Sequence, residues 1–170
     1  MITIEPLARG DRGAFLALNN ACVPHVNALE PATLEAILAQ AAVVLAARQD
    51  DRLIGGLIAL GDKARYASAN YRWFRARYDA FLYVDRVLVR QSSRGAGLGR
   101  KLYRALEEAA PMDVTRILCE VNEDPPNPIS LAFHTHMGFH EVGRLAHPDT
   151  GKCVVMMERP LRDKREAGDG

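Results

Sequence analysis

The chain has 170 residues, of which 48% are hydrophobic and 25% are charged, and its formal net charge is +1. This length and composition are typical of a single folded globular domain and argue against a disordered chain. The small net charge gives no reason to expect nucleic acid or an acidic membrane surface as a partner.

The start of the chain, MITIEPLARGD, has no basic segment followed by an apolar run, so we expect no secretory signal peptide. No apolar stretch reaches the roughly 20 residues that a membrane span needs. The three cysteines, Cys22, Cys119 and Cys153, are widely spaced and indicate reduced thiols rather than a disulfide framework or a metal site. We therefore expect a cytoplasmic protein that binds no metal, no membrane and no nucleic acid.

The first third of the chain predicts a strand, two helices and an antiparallel hairpin. Apolar residues alternate over residues 2–4, and a helical spacing of apolar residues follows from Asp11. A second helix begins near Pro31, a residue type that suits the first helical turn. Two apolar runs, 42–47 and 53–60, flank an Asp-Asp turn and predict the hairpin.

Residues 61–79 have no clean periodicity but are rich in aromatic and basic side chains. Two interpretations stay open for this segment. It forms either a rim over a ligand site or an interface, or else a surface helix. In the second case Trp73 and Phe74 pack inward, and the arginines face water.

The centre of the chain combines a strand, a glycine loop and a helix. The apolar run Phe81–Val89 predicts the strand, and glycines recur at Gly95, Gly97 and Gly99 before a helical pattern over residues 97–110. The first N–H groups of a helix have no partner within it, and the helix dipole is positive at that end. The pattern therefore predicts a phosphate site.

The remaining elements are a strand at 115–121, a helix at 129–137 that ends at Gly138, and closing strands at 139–145 and 153–158. No repeat or linker divides the chain. We therefore expect one domain over residues 1–160 and a polar tail over residues 161–170.

Two common phosphate motifs do not fit the glycine loop. A nucleotide-hydrolysing P-loop needs G-x-x-x-x-G-K-S/T, but Gly99 is followed by Arg100 and Lys101. A dinucleotide fold needs G-x-G-x-x-G, and here the third glycine comes one residue early, although Glu120 lies about where a ribose-binding acid would. Such a motif usually opens its domain, whereas two helices and a hairpin precede this one.

A third interpretation fits two separate motifs. The sequence RGAGLG, with Arg94, Gly97 and Gly99, resembles the acyl-CoA loop Q/R-x-x-G-x-G/A of the GNAT superfamily of N-acetyltransferases. Residues 127–139, NPISLAFHTHMGF, are similar to that superfamily's N-x-x-A/S-x-x-L/F-Y-x-x-x-G-F. The resemblance covers nearly the whole chain and is to small bacterial-type members.

The resemblance implies an α/β (α+β) GNAT fold: a mixed, curved sheet of about seven strands with four helices, in the order β-α-α-β-β-β-α-β-α-β-β. It implies that the sheet opens between the strand before the loop and the strand ending at Glu120, and that acyl-CoA occupies the opening. The implied cofactor-binding residues are Val87, Leu88, Val89, Arg94, Gly95, Ala96, Gly97, Leu98, Gly99, Arg100 and Asn127.

The resemblance also implies catalytic residues. Glu120 matches the glutamate that serves as base in several family members, and Asp85 on the preceding strand is a second candidate for the base or for an anchor of the amine. Because side chains alternate along a strand, we do not expect Arg86 to pair with Asp85. The family's tyrosine position holds His134, which leaves the general acid open, and Tyr83 is a substitute donor.

The function that follows is an acetyl-CoA-dependent N-acetyltransferase acting on a primary amine of a small molecule or peptide. Residues 66–78 are expected to shape the acceptor pocket, and their arginines suggest an acceptor that carries a carboxylate or phosphate. The alternative is a catalytically weak acyl-CoA sensor or interaction module, for which the missing tyrosine would argue. The identity of the amine and a homodimeric state both stay open.

Overall fold

The computed structural model describes residues 1–162, so the predicted polar tail lies almost entirely outside the described residues. The strands are β1 (Ile2–Pro6), β2 (Val43–Gln49), β3 (Arg52–Gly61), β4 (Phe81–Val89), β5 (Arg116–Asp124), β6 (His140–His147) and β7 (Lys152–Pro160). The helices are α1 (Arg12–Ala21), α2 (Pro31–Gln40), α3 (Ala69–Arg75), α4 (Leu98–Ala109) and α5 (Pro128–His136).

The strands are hydrogen-bonded in the order β1-β2-β3-β4-β5-β7-β6. Strands β4 and β5 are parallel, whereas β1 with β2, β2 with β3, β5 with β7 and β6 with β7 are antiparallel. The predicted mixed sheet of seven strands is therefore confirmed.

The predicted number of four helices is wrong, because the described residues contain a fifth helix, α3, between β3 and β4. Ser68 caps this helix by accepting a hydrogen bond from the Tyr71 backbone N–H. Phe74 is buried and Trp73 is half-buried, as the helical interpretation of this segment expected. Two turns of helix are too short to produce a clear period in the sequence.

The described residues form two compact units: residues 1–65 with 84–110, and residues 66–83 with those from 111 onward. Strand β4 contributes residues to both units.

Close backbone approaches at two glycines of β3 define the packing of the first unit. A Cβ on Gly56 would lie 2.3 Å from Cε2 of Phe15 in α1. A Cβ on Gly55 would lie 2.9 Å from both the Leu88 carbonyl oxygen and Cδ2 of Leu98, the first residue of α4. Since real Cβ atoms do not approach other atoms so closely, β3 takes this position only with glycine at both sites.

Aromatic side chains fill the core of the second unit. The ring of Tyr71 lies 6.0 Å from that of Phe81 and 5.6 Å from that of Tyr83, and the ring of Phe74 lies 5.7 Å from that of Tyr83. These tilted and edge-on pairs contribute about 0.5–1.5 kcal/mol each beyond the area that they bury. They hold α3 against the first residues of β4.

Candidate functional site

The glycine loop belongs to the first unit and joins β4 to α4. A single 3-10 turn over Gln91–Ser93 leads to Arg94, whose backbone is extended. Gly95 and Gly97 then adopt φ angles of 83° and 75°, in the left-handed region that a Cβ atom disfavours. Gly97 is the N-cap, and α4 begins at Leu98.

The N-terminus of α4 presents backbone N–H groups that suit an anion. The Lys101 N–H bonds to the Gly97 carbonyl, so the N–H groups of residues 98–100 precede the first hydrogen bond of the helix. A Cβ on Gly95 or Gly97 would meet no described atom within 4 Å, so the loop is open at both glycines. This geometry, with the positive end of the helix dipole, fits a phosphate or a pyrophosphate.

Two further features of the loop concern its predicted cofactor contacts. Arg94 and Arg100 are exposed, and a guanidinium nitrogen of Arg94 lies 3.5 Å from the His25 imidazole. Leu98 is buried against β3, so only its backbone faces the loop. Any contact of Leu98 with a ligand in the loop would therefore be made by its backbone.

The expectation that Arg86 does not pair with Asp85 is wrong. The Arg86 Nε donates to Asp85 Oδ2 at 2.8 Å, and the two side chains are only 7% and 6% exposed. Alternation sets the direction of each Cβ, but the long arginine side chain turns back to the neighbouring carboxylate. The pair compensates both buried charges.

The same arginine also organises the connection between α1 and α2. Its Nη1 donates to Asn19 Oδ1 at 2.7 Å, and the Asn19 amide donates to the Asn27 carbonyl at 3.1 Å. Asn20 exchanges two hydrogen bonds with the backbone of Leu29. The Asp85–Arg86 ion pair of β4 is thus linked by hydrogen bonds to the connection between α1 and α2.

The carboxylate of Glu120 lies on β5 in the second unit. Its Oε1 accepts a hydrogen bond from the Tyr83 hydroxyl at 2.9 Å and another from Asn70 Nδ2 at 3.0 Å. Tyr83 is buried, whereas Glu120 and Asn70 are half-buried. Two donors on one oxygen hold the carboxylate in its orientation.

Sequence reasoning missed two residues of this site. Asn70, from the first turn of α3, contacts Glu120 directly, and His147 Nε2 lies 2.9 Å from Asn70 Oδ1. The segment that carries Asn70 was expected to shape the acceptor pocket, but nothing in the sequence distinguished this residue within it. Nothing in the sequence marked His147 as part of this site.

Helix α5 carries Asn127 and His134. Asn127 Oδ1 accepts from the Ser130 N–H at 3.2 Å, so this side chain caps the helix. His134 is buried, and its Nδ1 lies 2.7 Å from the Ser130 carbonyl oxygen, to which it must donate. Burial lowers the pKa of His134 below 6.5, and this hydrogen bond opposes the shift in part. The ring is therefore neutral at pH 7, with Nε2 as its unprotonated nitrogen.

Glu120 pairs with Met156 of β7, so the two side chains point to the same face of the sheet. The next residue, Met157, points to the opposite face and lines a groove with Leu131 of α5.

Within residues 1–162, no group of three His, Cys, Asp or Glu side chains is arranged to hold a metal ion. No helix in the same range is long and apolar enough to cross a membrane.

A sequence model of the acetyltransferase (GNAT) family matches residues 14–139, which include the glycine loop, Glu120 and the motif of α5. The chain belongs to the acetyltransferase (GNAT) family. GNAT acetyltransferases use acetyl-CoA, and the anion-binding geometry of the loop agrees with the phosphates of that molecule. A comparison with curated protein sequences found no match.

Solved structures share the GNAT fold over nearly the whole chain. The yncA protein of Salmonella typhimurium, a putative acetyltransferase with acetyl-CoA bound, has a TM-score of 0.70 at 19% identity, covering 95% of both chains. The ribosomal-protein-alanine N-acetyltransferase of Brucella melitensis has a TM-score of 0.71 at 20% identity, covering 94% of this chain and 99% of its own. Arabidopsis thaliana NAA60, in complex with a bisubstrate analogue, has a TM-score of 0.73 at 17% identity, covering 96% of this chain and 100% of its own.

We expect Arg86→Met to lower the free energy of unfolding by about 3–5 kcal/mol, because the buried Asp85 carboxylate loses its adjacent cation. Urea denaturation measures this change. Arg12→Met is the control, since it removes the exposed pair with Glu35 and should change the free energy by less than about 1 kcal/mol. If Arg86→Met and Arg12→Met lowered the free energy of unfolding equally, burial would not explain the importance of the Asp85–Arg86 pair.

We expect His134→Gln to reduce the loss of stability in mild acid. Because the pKa of His134 is lowered by folding, the unfolded chain binds the proton more tightly than the native protein. The neutral ring therefore contributes to the free energy of unfolding above pH 6.5, and this contribution is lost as the pH falls through the lowered pKa. Denaturant unfolding at pH 7.5 and pH 5 should show a smaller difference for His134→Gln than for wild type. The exposed His136→Gln serves as control, and a pH dependence unchanged by His134→Gln would contradict the assignment.

Proposed function

We propose that the protein transfers an acetyl group from acetyl-CoA directly to a primary amine of a small molecule or peptide, without a covalent enzyme intermediate. The observation that carries this proposal is the Glu120 carboxylate, held in its acceptor form by Tyr83 and Asn70. Such a carboxylate can take the proton that an amine loses as the new amide bond forms. Acetyl-CoA, when bound, supplies the acetyl group as a thioester and leaves as the thiol.

The glycine loop would hold the phosphates of CoA. The Arg94 N–H bonds to the Gln91 carbonyl, so the N–H groups of residues 95–100 would bind the pyrophosphate. The side chains of Arg94 and Arg100 would add positive charge. Backbone groups of Val87–Val89 would bind the pantetheine arm. Asn127 would contribute to cofactor binding from the N-terminus of α5. Its Oδ1 caps that helix.

Of the two carboxylates predicted as the base, Glu120 is the better candidate. Asp85 is nearly buried and paired with Arg86, so removing a proton from an amine would compete with that ion pair. We propose instead that Asp85 has a structural role. It orients Arg86, which binds Asn19 and so holds the connection between α1 and α2.

The protonation state of His134 argues against it as general acid at neutral pH. Its Nδ1 proton is directed to the Ser130 carbonyl, and its Nε2 can only accept a hydrogen bond while the ring is neutral. The Tyr83 hydroxyl already donates to Glu120. We therefore propose that the CoA thiolate takes its proton from solvent and that His134 contacts the cofactor.

Both acceptor classes have a structural relative: one is named as a ribosomal-protein-alanine N-acetyltransferase and another as a putative phosphinothricin N-acetyltransferase. Exposed arginines of α3, Arg72 and Arg75, would suit an acceptor with a carboxylate or phosphate.

We expect Glu120→Gln to reduce kcat/KM for the amine by about 10²- to 10⁴-fold, because the amide cannot accept the amine proton. The measurement is release of CoA thiol with acetyl-CoA and a panel of amines and peptides. The isosteric glutamine keeps an oxygen for Tyr83 and Asn70, so the melting temperature should change little. Tight CoA binding by wild type without transfer to any amine would contradict the proposal and favour the sensor module.

We expect Gly97→Ala to weaken CoA binding by about 5- to 30-fold. An alanine at a φ of 75° is strained by about 1–2 kcal/mol, so the loop relaxes and CoA must restore its conformation. Isothermal titration calorimetry with CoA measures the change. Gly13→Ala in α1 is the matched control, because its Cβ would also meet no described atom within 4 Å. Unchanged affinity in Gly97→Ala would show that CoA does not bind at the loop.

A further inference from the structure

Two hydrogen bonds connect the end of β6 to the carboxylate of Glu120, and a third joins Tyr83 to the same carboxylate. His147 Nε2 lies 2.9 Å from Asn70 Oδ1, Asn70 Nδ2 lies 3.0 Å from Glu120 Oε1, and the Tyr83 hydroxyl lies 2.9 Å from the same oxygen. His147 is the last residue of β6, and Asn70 lies in the first turn of α3. Three elements, distant in sequence, thus meet at one carboxylate.

The chemistry of the groups sets the direction of each hydrogen bond. An ionised carboxylate only accepts, so the amide nitrogen of Asn70 faces Glu120 and the amide oxygen faces His147. His147 must therefore carry a proton on Nε2. The imidazole donates to the amide, and the amide donates to the carboxylate.

A second contact joins the same two elements. A Cβ on Gly143 of β6 would lie 2.6 Å from Cζ2 of Trp73 in α3, so the indole rests directly on the backbone of that strand. The Arg77 guanidinium stacks over the indole, 3.9 Å from the centre of the ring. Helix α3 is therefore fixed to β6 both at Trp73 and at Asn70.

We propose that Asn70 and His147 are positioning residues for Glu120, an inference that rests on the proposed function. Tyr83 and Asn70 both donate to Oε1, so together they hold one oxygen of the carboxylate in place. Asn70 sets the rotation of the carboxylate, and His147 sets the orientation of Asn70. The amide does not relay the proton, because an amide nitrogen has no lone pair available to accept one. The proton leaves Glu120 by another route.

A double-mutant cycle tests this role. We expect Asn70→Ala to lower kcat by about 10- to 100-fold, because misplacing a reacting group has an effect of that size. The KM for acetyl-CoA should stay the same. In the background of Glu120→Gln, where no carboxylate remains to be oriented, Asn70→Ala should change kcat by less than about twofold. Equal losses in both backgrounds would show a general structural effect and overturn the proposal.

The histidine is tested with variants of matched shape and chemistry. His147→Gln keeps an N–H donor and should retain more of kcat than His147→Phe, which has none. His140→Phe, at the exposed start of the same strand, should leave kcat unchanged. Equal kcat values for His147→Gln and His147→Phe would overturn the role of the hydrogen bond.

A readout that does not depend on turnover separates this inference from the proposed function. The ¹⁵N NMR spectrum of wild type at pH 8 should show His147 with its proton on Nε2, and Asn70→Ala should shift the Nε2 resonance, because that N–H loses its acceptor. If wild type shows this tautomer but transfers no acetyl group, the proposed function fails and the network stands. If His147 carries its proton on Nδ1 instead, the positioning network is wrong even in an active enzyme.

Discussion

The close contact of Gly55 with Leu88 and Leu98 is the constraint on which the glycine loop depends. One of these residues belongs to the strand before the loop and the other is the first residue of the helix after it. By touching both, the bare backbone of β3 sets the distance between the two ends of the loop. The left-handed glycines between them can then direct N–H groups to one place because both ends are held.

The second unit orients its polar groups by hydrogen bonds rather than by close packing alone. Tyr83 combines both functions, since its ring packs against Tyr71 and Phe74 while its hydroxyl binds Glu120. In α5 of the same unit, the Ser130 carbonyl fixes the tautomer of His134. Hydrogen bonds thereby set the orientation of the carboxylate and the protonated nitrogen of the imidazole.

The sequence was most informative where local rules determine the structure. The bounds of β4 were predicted without error, and α4 begins one residue after the predicted start, because an apolar run, glycines and a helical period all agreed there. The sequence left the short helix α3 as one of two open interpretations, because two turns of helix give little periodicity. Its cap, Ser68, was the one local signal.

Side-chain contacts within the site were the least predictable part. Asn70 and His147 are separated by 77 positions, and no local pattern relates them. The prediction that Asp85 and Arg86 do not pair was wrong for a different reason. Alternation describes where Cβ atoms point, whereas an arginine has enough rotatable bonds to reach around the strand. Contacts of long polar side chains therefore require the folded structure.

The adjacency of Asp85 and Arg86 also lowers the entropy cost of their pairing. An ion pair between sequence neighbours closes almost no loop, so holding the two charges together costs little chain entropy. The pair lies in the interior of the first unit as one neutral group, which lowers the cost of removing both charges from water. The hydrogen bonds from Arg86 to the connection between α1 and α2 span 59 to 67 positions and close much longer loops. Strand β4 thus carries the compensation for its own buried charge.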